Sequence, residues 1–317
     1  MDVKLSPEQG ELIDAVRSVL RRHRANAAWP APYEADLPAF ALLESAGFLD
    51  VLNSGGSAVD AALVVEESAA GAPGSPVAAR ALVAPLVTSR SLQGVVGLAD
   101  RQSGSIVRFA EQAMSFLVLA GDEARLVDAD SAKIEALKSR WGYPTSRVTF
   151  SGGESLGAGS AVKLLAAWRI ALAAEAGGLM EAVTLRATKY AMERQAFGKP
   201  IGALQSIQHR LARAYALSHA VKWLARRAAW DPVDTIASAS AANYAAIGMR
   251  EVITSAHQVA GAIGVTDEFG ITNYTARMAM LHLELGGARS HARAVGYARW
   301  GARARGGAAV ATMAGVQ

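Results

Sequence analysis

The segment Glu193–Ala212, ERQAFGKPIGALQSIQHRLA, stands where one long helical pattern stops and another starts. Upstream of it, Leu165, Trp168, Leu172, Ala176, Leu179, Val183, Ala187 and Tyr190 recur at steps of three and four. That spacing marks one buried face of a helix. Gly198 and Pro200 supply the stop, since Gly accepts the left-handed residue after a helix and Pro cannot extend one. Continuing the stripe past Tyr190 lands on Arg194 and Phe197, so the pattern predicts that both are buried. A buried guanidinium needs an opposite charge or several acceptors. Two readings stand at this point. In one, Arg194 covers core with its stem and bonds the last carbonyls of its own helix. In the other it faces an anion at the joint. Gln205 opens the next helix there, with free N–H groups and the positive dipole end pointing outward. An Arg beside a helix start suits a pyrophosphate, with the Phe197 ring packed against an aromatic base.

Further helical patterns run from about Ala203 to Ala229, from Asp231-Pro232 to about Ala260, and over roughly Thr272–Tyr297. With the first they make four long helices and short joints, the pattern of an antiparallel bundle. Between the last two lies HQVAGAIG, His257–Gly264. Gln258 sits near a helix end. Gly261 and Gly264 either only terminate that helix or let backbone come close to a ligand.

Ahead of the bundle the chain has two other characters. Its first 95 or so residues read helical. Ser6-Pro7-Glu8 is a helix start with Ser as N-cap, followed by Leu12, Val16 and Leu20 at helical spacing. From about Gly94 to Gly153, SIVRFA, SFLVLAG, EARLVDA and SRVTFSG are short and β-branched, which predicts a small β-unit of about four strands. The expected organisation is a helical domain over 1–95, a reduced β-domain over 96–153, a four-helix bundle over 154–305 and a loosely held tail over 306–317.

Composition narrows the function classes. Hydrophobic residues make up 51% of the 317 and charged ones 19%, which favours a packed core over disorder. The net charge of +4 comes without a block of like charges, which weighs against nucleic acid as a partner. The absence of cysteine excludes disulfides, thiolate metal sites and a Cys nucleophile. The six histidines share no metal-ligand spacing, so no metal site is expected. No apolar run is long enough for a membrane span, and MDVKLSPEQGELIDAVRSVLRRH lacks the apolar core of a signal peptide. A cytoplasmic protein is the expectation.

The combination Arg-x-x-Phe-Gly-x-x-Ile, then Gln205 and QHRLA, then Gln-x-x-Gly-x-x-Gly some fifty residues on, closely resembles the C-terminal domain of acyl-CoA dehydrogenases. LSPEQGELIDAVRSVL and the helix–strand–helix order resemble that family too. The resemblance implies a mainly α fold with a small β-domain: helical N-domain, reduced middle β-unit, C-terminal four-helix bundle. It also implies FAD and an acyl-CoA substrate. Family members reach the ADP half of the flavin from the neighbouring subunit of a dimer. Carried over, Arg194 meets the pyrophosphate, Phe197 and Gln205 lie near the adenosine, and Gln258 with the Gly261-Ala262 backbone completes the lobe.

Two departures qualify the resemblance. The β-region is about half the family's size, and Ser103-Gly104-Ser105 is at most a remnant of the stretch that embraces the flavin ring. The catalytic base is the second departure. Leu285-Gly286-Gly287 falls where the family has Glu-Gly-Thr, and Glu284 comes one or two residues early. A helix turns about 100° per residue, so its side chain is expected to point elsewhere. Branched-chain members carry the Glu one helix earlier, at a position that falls near Trp168; Glu175, two turns on, reads as solvated or buried in the bundle. No catalytic residue is assigned. The chain looks most like the short partner subunits of actinobacterial acyl-CoA dehydrogenase heterotetramers, of the kind that degrade steroids, with a longer subunit supplying the base in an α2β2 assembly. The alternatives are a self-sufficient homo-oligomer whose displaced base is Glu284, and a flavoprotein-like scaffold that binds DNA.

Overall fold

The structure, a computed structural model, describes residues 4–26, 30–31, 33–138 and 142–304. The expected tail, 306–317, lies outside them. Helix α1 (Pro7–Asn26) begins as its sequence dictates. Ser6 Oγ accepts from Gln9 N–H at 3.2 Å, and Gln9 Oε1 accepts from Ser6 N–H at 3.1 Å, a reciprocal cap. Val16 and Leu20 are buried where α1 packs on α3 (Ala58–Gly71). Helix α2 (Leu37–Ser45) lies between them in sequence. A π-helical turn, Ala79–Val83, leads into the short α4 (Ala84–Val87).

The β-unit holds seven strands among the described residues, rather than about four. One sheet has the order β1-β3-β4-β7: β1 (Val95–Ala99), β3 (Ala113–Ala120), β4 (Glu123–Asp128) and β7 (Glu154–Ala158). The other has the order β2-β6-β5: β2 (Ser105–Arg108), β6 (Thr145–Phe150) and β5 (Ala132–Ala136). Phe116 and Phe150 meet edge to face at 5.1 Å between them. The four β-branched segments all appear. The additional strands, VVGLA, AKIEA and ESLGA, are poor in aromatic residues and form because a neighbour's edge is there to pair with.

Helix α5 (Ser160–Glu193) is the axis of the molecule. Every residue from Ala166 to Met180 is buried, with α3, α6 (Gln205–Trp230), α7 (Thr235–Ala260) and α8 (Thr272–Leu281) packed around it. Small residues make this possible. A Cβ on Gly178 would strike the Glu66 carbonyl of α3, and one on Gly177 would lie 2.6 Å from Lys222 Cγ of α6. Charges lock the same crossing. Glu66 is fully buried and accepts from Arg226 at 3.1 and 2.6 Å, while Lys222 Nζ reaches Glu181 at 2.7 Å.

Helices α6 (Gln205–Trp230) and α7 (Thr235–Ala260) follow the expected bounds. The cap of α7 is Asp234, whose carboxylate accepts from Ile236 and Ala237 N–H, and not Asp231-Pro232. The fourth helix is divided in two, α8 (Thr272–Leu281) and α9 (Gly287–Ala304). Leu285, Gly286 and Gly287 between them have φ of 54°, 82° and 65°. Three successive left-handed residues cannot belong to a right-handed helix.

Candidate active-site cavity and cofactor lobe

Two regions carry chemistry. The first is a cavity of about 280 Å³ between the β-unit, α5 and the α8–α9 joint. Arg108, the last residue of β2, enters it and is met by two carboxylates. Its Nη1 donates to Glu175 Oε1 and Oε2 at 3.0 and 3.1 Å, and its Nη2 to Glu175 Oε2 at 3.1 Å. Nη2 also donates to Glu284 Oε1 at 3.4 Å, and Nε lies 3.2 Å from Glu284 Oε2. Trp168 Nε1 donates to Glu284 Oε1 at 2.5 Å, and the Tyr143 hydroxyl to Glu175 Oε1 at 2.5 Å. Behind these, the Arg277 guanidinium lies 5.7 Å from the Tyr143 ring.

The electrostatics follow from burial. Loss of solvent pushes the Glu284 carboxyl above its ordinary range; Arg108 opposes that and the neighbouring Glu175 adds to it. The Tyr143 hydroxyl is held well above its usual value, first by burial and then by Glu175. Burial works against the charge on Arg108, and the two carboxylates outweigh it, so the guanidinium stays protonated.

Glu284 therefore points into the cavity and not elsewhere. The expectation assumed a continuous helix through 284–287. The helix has ended at Leu281, so a rotation of about 100° per residue does not apply there. Glu175 is buried, as one of its two readings had it, but it is also paired and part of the cavity wall. Trp168 stands in the same wall. The two chain positions considered for a base thus meet at one hydrogen bond. Arg108 was missed: a single Arg at a strand end carries no signal until its partners, 67 and 176 positions away, are in place.

The second region is the joint at the end of α5. Helix α5 stops at Glu193, and Arg194 is already extended. Strands β8 (Gln195–Ala196) and β9 (Lys199–Pro200) form a tight hairpin before a turn of 3-10 helix, Ile201–Ala203. The stripe therefore ends before Arg194, and the predicted burial of Arg194 and Phe197 does not occur. Both are exposed, Phe197 at 91% and with a left-handed φ of 53°. Gln205, Gln258, Gly261 and Ala262 are exposed as well. Among the described residues, the side chains of Arg194, Gln205 and Gln258 take no hydrogen bond or ion pair, and no side chain caps α6. Short reversals place the end of α5, the start of α6 and the end of α7 at one end of the bundle, where Arg213 and Glu251 join α6 to α7.

A free guanidinium, two free amides, an exposed ring and an uncapped helix start suit the ADP half of a dinucleotide. None of these groups lines the cavity described above. Ser103-Gly104-Ser105 is otherwise engaged, since Ser105 Oγ is buried and donates to Asp100 at 2.5 Å. Among the described residues no acidic or histidine cluster could hold a metal, and no helix is long and apolar enough to cross a membrane.

A helical bundle around a buried axis, joined to a small two-sheet β-unit and bearing a charged cavity between them, is the architecture of acyl-CoA dehydrogenases. Residues 156–299 match the family model described as acyl-CoA dehydrogenase, C-terminal domain. Acyl-CoA dehydrogenase FadE34 of Mycobacterium tuberculosis is 30% identical over 320 residues, covering 88% of this chain and 45% of FadE34. Benzylmalonyl-CoA dehydrogenase of Aromatoleum aromaticum is 40% identical over 101 residues, or 28% of this chain and 27% of its own. The chain thus spans less than half the length of these relatives. Among solved structures, the ChsE4-ChsE5 complex of Mycobacterium tuberculosis contains a chain of the same fold, with TM-score 0.77, 20% identity and coverage of 95% and 99% of the two chains. A variant of the steroid ACAD Tcur3481-Tcur3483 gives TM-score 0.75, 22% identity and coverage of 94% and 99%. The chain belongs to the acyl-CoA dehydrogenase family.

Proposed function

We propose that this chain is one subunit of an FAD-dependent acyl-CoA dehydrogenase, an enzyme that desaturates a thioester between its α- and β-carbons. It contributes the ADP-binding lobe and works with a longer acyl-CoA dehydrogenase-like subunit in an α2β2 assembly. The observation that carries this reading is the end of the bundle, where Arg194, Phe197, Gln205 and Gln258 are exposed and, among the described residues, unengaged. Arg194 would hold the pyrophosphate, and Phe197 and Gln205 the adenosine. Gln258 with Gly261 and Ala262 would close the lobe. Bound FAD supplies the hydride acceptor. A base at the substrate α-carbon comes from the partner, because Glu175 and Glu284 of this chain's cavity are paired with Arg108, and Asp100 with Arg101 and Ser105. The likeness to chains of two heteromeric complexes, one called a steroid ACAD, supports both the partner and a steroid-derived acyl group.

Co-expression with an adjacent acyl-CoA dehydrogenase-like gene tests the proposal. It predicts a stable complex with about one FAD per two chains, one composite site per heterodimer. A chain that is flavin-loaded and fully active alone would overturn it. That outcome belongs to a second reading, which the inward direction of Glu284 favours: a self-sufficient enzyme with Glu284 as the base. Loss of turnover in Glu284→Gln of the isolated chain is the mark of that alternative.

A further inference from the structure

The cavity wall has a hydrogen-bond inventory that selects its ligand. Its polar side chains are Ser75, Asp100, Arg108, Trp168, Glu175 and Glu284, and the rest of the lining is apolar. The donors are engaged or buried. Each guanidinium nitrogen of Arg108 faces a carboxylate oxygen: Nη1 and Nη2 that of Glu175, Nε that of Glu284. The single N–H of Trp168 goes to Glu284 Oε1. Ser75 Oγ takes no hydrogen-bond partner among the described residues, but it is buried out of reach of the cavity space. Asp100 is an acceptor only, already joined to Arg101 and Ser105.

The acceptors are not all matched. Glu284 Oε1 receives both Trp168 and Arg108, whereas among the described residues Oε2 faces Arg108 Nε alone. A carboxylate oxygen accepts about two hydrogen bonds. One lone pair of Glu284 Oε2 is left without a donor beside an apolar cavity. We propose that this cavity takes an apolar ligand that carries a hydroxyl group and donates it to Glu284 Oε2, and that it rejects ligands ending in a carbonyl or carboxylate. A ketone brings an acceptor to a wall whose reachable side-chain donors are already engaged. A carboxylate adds a third negative charge beside Glu175 and Glu284.

The inference deepens the reading above and rests on it only in taking the natural ligand to be an acyl group, one that is hydroxylated away from the thioester. Binding itself needs neither flavin nor partner. Cyclododecanol, cyclododecanone and cyclododecanecarboxylate are matched probes, titrated calorimetrically into the full chain at neutral pH. The alcohol is expected to bind about tenfold more tightly than the ketone, and the acid not at all. Glu284→Gln adds an amide donor and brings the ketone level with the alcohol. Glu284→Leu abolishes the preference. The inference is overturned if ketone or acid binds as tightly as the alcohol, if the preference survives Glu284→Gln, or if none of the three binds. FAD content on co-expression is read separately. Its absence beside an intact alcohol preference sinks the subunit reading alone, and the reverse result sinks this inference alone.

Discussion

Trp168 and Glu284 are joined by one hydrogen bond across 116 positions of chain, the indole N–H donating to Oε1 at 2.5 Å. This contact ties the middle of α5 to the break between α8 and α9. Arg108 completes the tie from the β-unit, so three parts of the fold meet at one half-buried carboxylate.

Arg108→Met should test how much that meeting point matters. It leaves the buried Glu175 and the half-buried Glu284 without their cation, at a cost of about 3–5 kcal/mol near neutral pH. The pH dependence has a definite sign. Burial raises the Glu284 carboxyl, so between its ordinary and its raised value the native state holds more protons than the unfolded one. Stability contributed there falls as pH rises. In the variant this effect grows, and urea denaturation should show stability recovering as the buffer is acidified. A variant as stable as the parent, or a loss indifferent to pH, would contradict the arrangement.

His291 should act in the opposite direction. It is fully buried, and burial, aided by Arg169, lowers its pKa to about 4. The unfolded chain then binds more protons between that value and about 6.5. Stability rises with pH through this window and is lost below it, by up to about 3 kcal/mol. His291→Gln cannot be protonated and should flatten the acid limb of a stability–pH curve. An unchanged acid limb would mean that His291 is not held neutral.

Arg194→Ala and Phe197→Gly should separate function from stability. Arg194 has no hydrogen-bond or ion-pair partner among the described residues, so its loss should shift stability by no more than about 0.5 kcal/mol. Phe197 pays for its exposed, left-handed position, and Gly removes that strain, with an expected gain of about 1 kcal/mol. Both variants should retain less FAD in the co-expressed complex. Full flavin content with either variant would remove these residues from the lobe.

Gly178→Ala should be among the most damaging single changes in the chain. The added methyl meets the Glu66 carbonyl, a backbone atom beside the buried Glu66–Arg226 pair, and cannot be accommodated by a side-chain rotation. A loss of about 3 kcal/mol is expected. Gly248→Ala is a control in the same bundle, because its neighbour at 3.0 Å is the flexible end of Met180. Equal melting temperatures for the two variants would argue against the close α3–α5 crossing.

The helices were legible because their signals are local. Steps of three and four give α5, and Ser6 with Gln9 caps α1 as its sequence dictates. The motif Arg194–Gln205–Gln258 was legible as well, although each of its residues is unremarkable alone. Burial at Arg194 and Phe197 was misread, because periodicity predicts a buried face only while the helix continues. The direction of Glu284 was misread for the same reason, since the helix had stopped three residues before it.

The sequence by itself therefore determined the helical architecture and the small β-unit, which rest on residues within a few turns of one another, and the family, which rests on short motifs that each read locally. Only the tertiary structure decided what faces what. Arg108, Glu175 and Glu284 come from three separate elements, and their charges are placed together by the packing of those elements around α5. A buried charge is stable only where another element brings its partner. That partner is fixed by distance in space, which no spacing along the chain records.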